Sequence, residues 1–336
     1  MSDLGERIGK VDRAIYETLY KGKIEEKNIF FSQVIPGNYK GSEWDFTEIT
    51  VRAIDQEAAY RLGERINNDL LKLKQDIVIT PGESSDNDLV YNISTQGLHT
   101  HRIRLIYKKD WKKPSEVLPK IAIIIDDIGN DYKLASSLID SNIPVTLSVM
   151  PSSAYAKDIA EKARKKGIEV ILHLPMEPKN YPDVNPGPDA LLTKMDERQI
   201  KAIINKDLKM VPGVSGVNNH MGSYFTERED KMSYVLKELK KRGLFYLDSR
   251  TTSNSIGFRL AGEMDVPAAK KDVFLDNDLS TKAIKYQMER LIGIARYSGK
   301  AIGIGHPHQV TLDVLREYAE ILKTDLKVVP VSELVN

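Results

Sequence analysis

The sequence contains no cysteine, which excludes a disulfide framework, a thiolate nucleophile and a zinc site built on cysteine. It also lacks an uninterrupted apolar stretch of about 18 residues, so we expect no transmembrane helix. The opening residues, MSDLGERIGK, have no apolar core of the kind found in a signal peptide.

The sequence also lacks an excess of charge of either sign, because its 49 basic side chains are nearly balanced by 48 acidic ones. This balance gives no overall field that would attract nucleic acid or an anionic membrane. No basic and aromatic stripe indicates a nucleic-acid surface. A G-x-S-x-G nucleophile elbow and a glycine-rich phosphate loop are also absent. We therefore predict no nucleic-acid partner and no serine-hydrolase or nucleotide chemistry.

The length of 336 residues is about that of two average domains. Residues 1–110 follow an α-β-α-β-β order, which predicts a small α+β domain of unknown role. The clearest helix there covers residues 56–74, where apolar side chains recur at helical spacing. Residues 111–119 are charged and contain two prolines, so we interpret them as a linker.

From residue 120 to 336, strand patterns alternate with helical ones. The candidate strands are 121–126, 144–150, 168–174, 214–219, 244–248, 271–275, 300–305 and 326–330. Seven or eight βα units in about 215 residues favour one (β/α) barrel, with an open sheet as the alternative.

Several polar side chains stand where these predicted strands end. In a (β/α) barrel the carboxyl ends of the strands meet at one rim, where active sites lie. Taken singly, each residue also fits a structural role, such as a helix cap or a hydrogen-bonded histidine. Together they predict a functional site at the rim, formed by Asp126, Asp127, His173, His220, Asp248 and His306.

The first of these strand ends carries two adjacent carboxylates, Asp126 and Asp127. Two ionised carboxylates side by side repel each other, and a divalent cation removes the conflict. One aspartate can then bind the metal while the other stays ionised as a base. Carboxylate and imidazole ligands suit zinc, nickel, cobalt and iron. The pattern indicates metal-assisted hydrolysis with a separate histidine as the proton donor.

Six motifs of this region resemble the divergent polysaccharide deacetylase family, a branch of the polysaccharide deacetylase superfamily of carbohydrate esterases. They are IIIDDIGND, PVTLSVMP, HLPMEP, GVNNHMGS, LDSRTT and GIGHPH, and the resemblance covers about residues 118–336. It implies an α/β fold, a distorted (β/α)7-type barrel with one divalent metal on its rim, here preceded by the small α+β domain.

The resemblance also implies roles for individual residues. Asp126 matches the base, Asp127 and His173 match metal ligands, and His306 matches the general acid. The superfamily's second ligand histidine, four residues after the first, is replaced here by Glu177. The third ligand is therefore either His220, which we favour, or Glu177.

Two further features bear on the catalytic machinery. Asp248 lies where the superfamily places an acidic residue that orients catalytic groups. The arginine usual in the superfamily's third motif is absent near His220, which leaves the orientation of the base open.

We therefore expect a metal-dependent hydrolase, with zinc as the metal, that removes N-acetyl groups from a cell-envelope polysaccharide outside the cytoplasm. The alternative is a catalytically inactive barrel that binds a glycan or an envelope partner. The proline-rich loop 175–188 is predicted to form one wall of the cleft. Tyr181 and Tyr224 are candidates for stacking on sugar rings.

Overall fold

The computed structural model describes residues 3–25, 28–39, 42–73, 76–107, 118–141 and 143–336. The chain forms two compact units. The first comprises Met1–Val117 with Met288–Gly299, and the second comprises Leu118–Gln287 with Lys300–Asn336. Most of the predicted linker, residues 111–117, lies outside the described residues.

The first unit combines helices with a five-stranded sheet, in agreement with the predicted α+β class. Its strands run in the order β1-β2-β5-β4-β3, and only β2 and β5 are parallel. A buried hydrogen bond, in which His101 Nε2 lies 3.0 Å from Asp12 Oδ1, joins β5 to α1. The elements are α1 (Asp3–Lys21), β1 (Ile29–Tyr39), β2 (Ser42–Arg52), α2 (Gln56–Leu71), β3 (Ile77–Pro81), β4 (Asp88–Thr95) and β5 (Leu98–Ile106).

The second unit alternates strands and helices along the chain. Its elements are β6 (Lys120–Ile128), α3 (Tyr132–Asp140), β7 (Thr146–Val149), α4 (Ala156–Lys165), β8 (Val170–Met176), α5 (Glu197–Met210), β9 (Gly216–Met221), α6 (Glu229–Arg242), β10 (Phe245–Asp248), α7 (Gly257–Glu263), β11 (Ala268–Lys270), β12 (Val273–Phe274), the beginning of α8 (Thr281–Ser298), β13 (Lys300–Gly305), α9 (Gln309–Glu317), α10 (Ala319–Thr324) and β14 (Lys327–Val328). The part of α8 from Met288 onward belongs to the first unit.

These strands form one curled parallel sheet in the order β11-β10-β9-β8-β7-β6-β13-β12, with β14 paired to β6. Only residues 271 and 272 separate β11 from β12, so the chain itself joins the two ends of the sheet. The predicted α/β fold, a distorted (β/α) barrel, is confirmed.

The strand period of two residues explains how this barrel positions a site. The buried core between the strands includes Ala122 and Ile124 of β6, and Ile302 and Ile304 of β13. Because side chains alternate between the two faces of a strand, the next inward position lies two residues further on. In β6 that position is Asp126. After β13 it is His306, and on β8 His173 follows the core residue Ile171 in the same way. The site is therefore formed by the inward-facing residues that follow the core residues along each strand. It lies at the carboxyl ends of the strands, and we call this end of the barrel the rim.

Among the described residues, no helix has both the length and the apolar character needed to cross a membrane.

Candidate active site

Asp127 reaches the site because the backbone of β6 departs from regular strand geometry. Strict alternation would turn Asp127 away from the side that Asp126 faces. Instead Asp127 has a φ of +55°, and the pairing of β6 with β7 shifts register between Ile125 and Ile128. Such a bulge re-aims a side chain. This local distortion is how two consecutive carboxylates face the same rim.

Three potential metal ligands converge there: Asp127, His173 and His220. The Oδ1 atom of Asp127 lies 3.0 Å from His173 Nε2 and 3.0 Å from His220 Nδ1. The two ring nitrogens are 3.1 Å apart. The three atoms therefore form a nearly equilateral triangle. They come from β6, β8 and β9, which are three different strands of the barrel.

The carboxylate of this triangle is ionised. Burial alone would raise the pKa of Asp127, but the adjacent His173 and His220 rings lower it well below its ordinary value. Its Oδ1 atom is buried, yet it has no hydrogen-bond partner of good geometry among the described residues. A buried anionic oxygen without a directed partner is costly. A cation bound between the three atoms would remove that cost.

The Nδ1 atom of His173 is held by Asn218, one strand away. Asp126 offers only lone pairs, so the Asn218 amide nitrogen must face it, and Nδ2 donates to Asp126 Oδ1 at 2.9 Å. The Asn218 carbonyl oxygen then faces His173 Nδ1 at 2.9 Å and also accepts from Ser148 at 2.6 Å. When the ring is neutral, this contact keeps the proton of His173 on Nδ1, so that Nε2 is free to offer a lone pair to a cation in the triangle. This support is typical of metal-binding histidines.

The donor set thus fits a divalent transition metal. One carboxylate and two imidazoles match the ligands of catalytic zinc sites, in which a fourth position stays open. The separations of about 3 Å are compatible with metal–ligand bonds of about 2.0–2.2 Å. The residues that could hold the ion are Asp127, His173 and His220.

Asp126 lies beside the triangle and is almost completely buried. Its Oδ1 atom is occupied by Asn218, while its Oδ2 atom lies 3.7 Å from His173 Nε2. Asp126 thus keeps one oxygen toward the cluster, where it can accept a proton.

His306 forms a tight pair with a buried carboxylate, Asp276. The His306 Nδ1 atom lies 2.8 Å from Asp276 Oδ1, while Asp276 Oδ2 accepts hydrogen bonds from the His306 backbone N–H and from the Thr311 hydroxyl. Burial alone would lower the pKa of His306, but the bond to Asp276 and the charges of Asp276, Asp126 and Asp127 raise it to about 9. His306 is therefore an imidazolium at neutral pH and can donate a proton.

The two remaining sequence candidates, Asp248 and Glu177, lie outside this constellation. Asp248 is fully buried and accepts hydrogen bonds from the backbone of Arg250 and Phe258 and from the hydroxyl of Ser255. It therefore organises the loop between β10 and α7. The carboxylate that contacts His306 in the structure is that of Asp276 rather than that of Asp248.

The hydrogen bonds of Glu177 are made within the surrounding loops. Its carboxylate accepts from the backbone N–H of Thr193, and its backbone carbonyl accepts from Tyr224 and Phe225. Glu177 thereby fastens the proline-rich loop to the segment after β9. That loop begins at Glu177, because Pro175 is still part of β8.

Two residues of the site escaped the sequence analysis, although signals for both were present. Asp276 comes directly after the predicted strand 271–275, so the strand-end rule would have found it. Asn218 stands two residues before His220 on β9, on the same face of the strand. Its amide lies next to Asp126, the candidate base.

Comparison with known proteins gives a consistent set of relatives. The sequence model of the family described as divergent polysaccharide deacetylase matches residues 123–335. The uncharacterized protein YibQ of Escherichia coli strain K12 is 35% identical over 217 residues, which are 65% of this chain and 67% of that protein. An uncharacterized protein of Haemophilus influenzae is 31% identical over 215 residues, 64% of this chain and 76% of that protein.

A solved structure resembles the barrel as well. The crystal structure of the uncharacterized protein ATU2773 from Agrobacterium tumefaciens C58 is 27% identical with a TM-score of 0.62. The similarity covers 66% of this chain and 91% of that one.

Proposed function

Because the chain belongs to the divergent polysaccharide deacetylase family, as its motifs predict, we propose that it is a metal-dependent hydrolase removing N-acetyl groups from a polysaccharide. The observation that carries the proposal is the triangle of Asp127, His173 and His220 beside a candidate base, Asp126. The substrate we propose is a glycan of the cell envelope, which places the protein outside the cytoplasm.

Asp127, His173 and His220 would hold the metal, and zinc is the best match to their donor atoms. When bound, such an ion supplies Lewis acidity toward a carbonyl oxygen and toward water. The protein itself orients these three ligand side chains. Asn218 fixes the proton of His173, and the bulge at Asp127 brings the carboxylate to the same point.

Two proton transfers complete the proposed reaction. Asp126 takes a proton from the attacking water through its Oδ2 atom, while Asn218 holds Oδ1. The water oxygen adds to the acetyl carbon, and the C–N bond then breaks. His306, kept protonated by Asp276, gives its proton to the leaving nitrogen. The products are a free amine on the sugar and acetate.

The test is acetate release from N-acetylated glycans by the metal-loaded protein and by the Asp126→Asn variant. The variant loses the base but keeps all three ligands. We expect its rate to fall by about 10²–10⁴-fold, with metal content unchanged. Full activity of Asp126→Asn would show that the base is misassigned.

The alternative function, a barrel that binds glycan without turnover, makes a different prediction for the same assay. The metal-loaded wild type would bind N-acetylated glycan and release no acetate at any pH. An enzyme with Asp126 and His306 in the proposed roles gives a bell-shaped pH profile instead.

A further inference from the structure

Exposed apolar side chains of the second unit are concentrated at the rim. Seven large ones are exposed among its described residues, and all but Leu118 follow the carboxyl end of a barrel strand. These six are Tyr132, Tyr155, Tyr181, Val184, Tyr224 and Leu279. Exposed apolar surface that gathers on one face indicates a binding surface, whereas scattered residues would not.

Within this set, Tyr132 and Tyr155 form a pair. Their ring centroids are 5.6 Å apart and their planes are inclined at 55°, so the two rings form an open cradle. Each remains exposed, at 40% for Tyr132 and 43% for Tyr155. Tyrosine rings that pack against each other in a protein core are buried. Because these two rings remain exposed, their apolar surface is available to a ligand.

One ring of the cradle, that of Tyr132, lies on the segment that carries the candidate catalytic carboxylates, and the other lies on the loop after β7. Tyr132 opens α3, five residues after Asp127, and Tyr155 precedes α4. The backbone N–H of Tyr155 donates to the carbonyl of Gly129 at 3.0 Å. Gly129 has a φ of +145°, and the Ser153 hydroxyl fills the space that a side chain would need. The two loops are thereby fixed against each other, next to the site.

The chemistry of the cradle selects one class of ligand. Tyrosine combines a flat apolar ring with a polar hydroxyl and loses little entropy when it is immobilised. A pyranose ring has the complementary character, with an apolar C–H face and polar edges. Anionic ligands have no equivalent reason to bind at the two rings, whose faces carry partial negative charge.

We propose that Tyr132 and Tyr155 form an additional sugar-binding subsite, which binds a glycan unit distant from the one that reacts. The inference rests on the proposed function for its choice of ligand. It makes the substrate a glycan of several sugar units.

The test compares the affinities of two probes, the hexamer and the dimer of β-1,4-linked N-acetylglucosamine, by titration calorimetry. In the wild type the hexamer should bind about tenfold tighter or more, which corresponds to about 1.4 kcal/mol. The double variant Tyr132→Ala/Tyr155→Ala should lose this advantage. Tyr132→Phe/Tyr155→Phe should retain it, because the rings remain.

Tyr20→Ala is the matched control, since Tyr20 is an exposed tyrosine of the first unit. The inference is overturned if the wild type shows no preference for the hexamer, or if the double alanine variant keeps it. It is also overturned if the double alanine variant changes the particle mass in light scattering, because the rings would then serve self-association. Binding needs no turnover, so a length preference without acetate release would refute the proposed hydrolase alone.

Discussion

Asn218 donates a hydrogen bond of 2.9 Å to Asp126, the residue that we propose as the base. The same amide accepts from Nδ1 of His173. A single neutral side chain thus contacts both the candidate base and a candidate metal ligand.

The first prediction concerns both bonds of Asn218. Asn218→Ala removes them together, and we expect the rate of acetate release to fall by about 10–100-fold with weaker metal binding. Asn218→Asp keeps an acceptor for His173 but sets a second carboxylate against Asp126. Like charges raise the pKa of the base, so the acid limb of the pH–rate profile should move to higher pH. An unchanged rate and an unchanged pH–rate profile in both variants would show that Asn218 neither orients Asp126 nor supports His173.

The second prediction concerns the alkaline limb of the same profile. His306 must be protonated to act as an acid, and its pKa is raised to about 9, so the rate should fall as the pH rises past that value. Asp276→Asn removes the charge that stabilises the imidazolium. The pKa of His306 then falls, and the limb should move down by about one pH unit or more.

A matched control for this change is Asp313→Asn, which removes an exposed carboxylate of α9 paired with Arg316. It should leave the alkaline limb in place. A limb that is equally insensitive to Asp276→Asn would show that His306 is not the titrating acid.

The third prediction concerns stability and involves Asp207 on α5. This residue is fully buried, and neither carboxylate oxygen has a hydrogen-bond partner among the described residues. Burial, assisted by the charge of Asp189, raises its pKa to about 7 from 3.8. The folded chain therefore holds a proton that the unfolded chain has lost, and the free energy of unfolding falls as the pH rises from about 4 to about 7.

Asp207→Asn is neutral at every pH and avoids this loss. Relative to its effect at pH 4, the variant should gain stability on the order of 4 kcal/mol at pH 8, measured by denaturant unfolding. The same difference between variant and wild type at both pH values would mean that Asp207 titrates normally.

The fourth prediction concerns Gly129, which lies between Asp127 and the aromatic cradle. An alanine there would need a positive φ, and its Cβ would overlap the hydroxyl of Ser153. Gly129→Ala should destabilise the fold by about 1–3 kcal/mol. Gly187→Ala is the control, because Gly187 also has a positive φ but open space around it. Equal melting temperatures for the two variants would contradict the steric argument.

The sequence predicted the barrel and most of the site because both follow from periodic rules. A strand's core residues identify its inward face, and two residues beyond them the same face reaches the rim. This rule places Asp126, His173 and His306 without knowledge of the tertiary structure.

Other features depend on contacts between distant segments. The bulge at Asp127 breaks the alternation, and nothing in the local pattern of β6 marks it. The carboxylate next to His306 is Asp276 rather than Asp248, because Asp276 follows β12, which pairs with β13, the strand that precedes His306. Strand ends in sequence do not tell which carboxylate meets which histidine.

The central claim is that Asp127, His173 and His220 hold a metal, and elemental analysis of protein purified without chelator tests it most directly. We predict about one transition-metal ion per chain in the wild type and in Glu177→Ala, and none in Asp127→Ala. Absence of metal from the wild type even after reconstitution, or its loss in Glu177→Ala with retention in Asp127→Ala, would contradict the account.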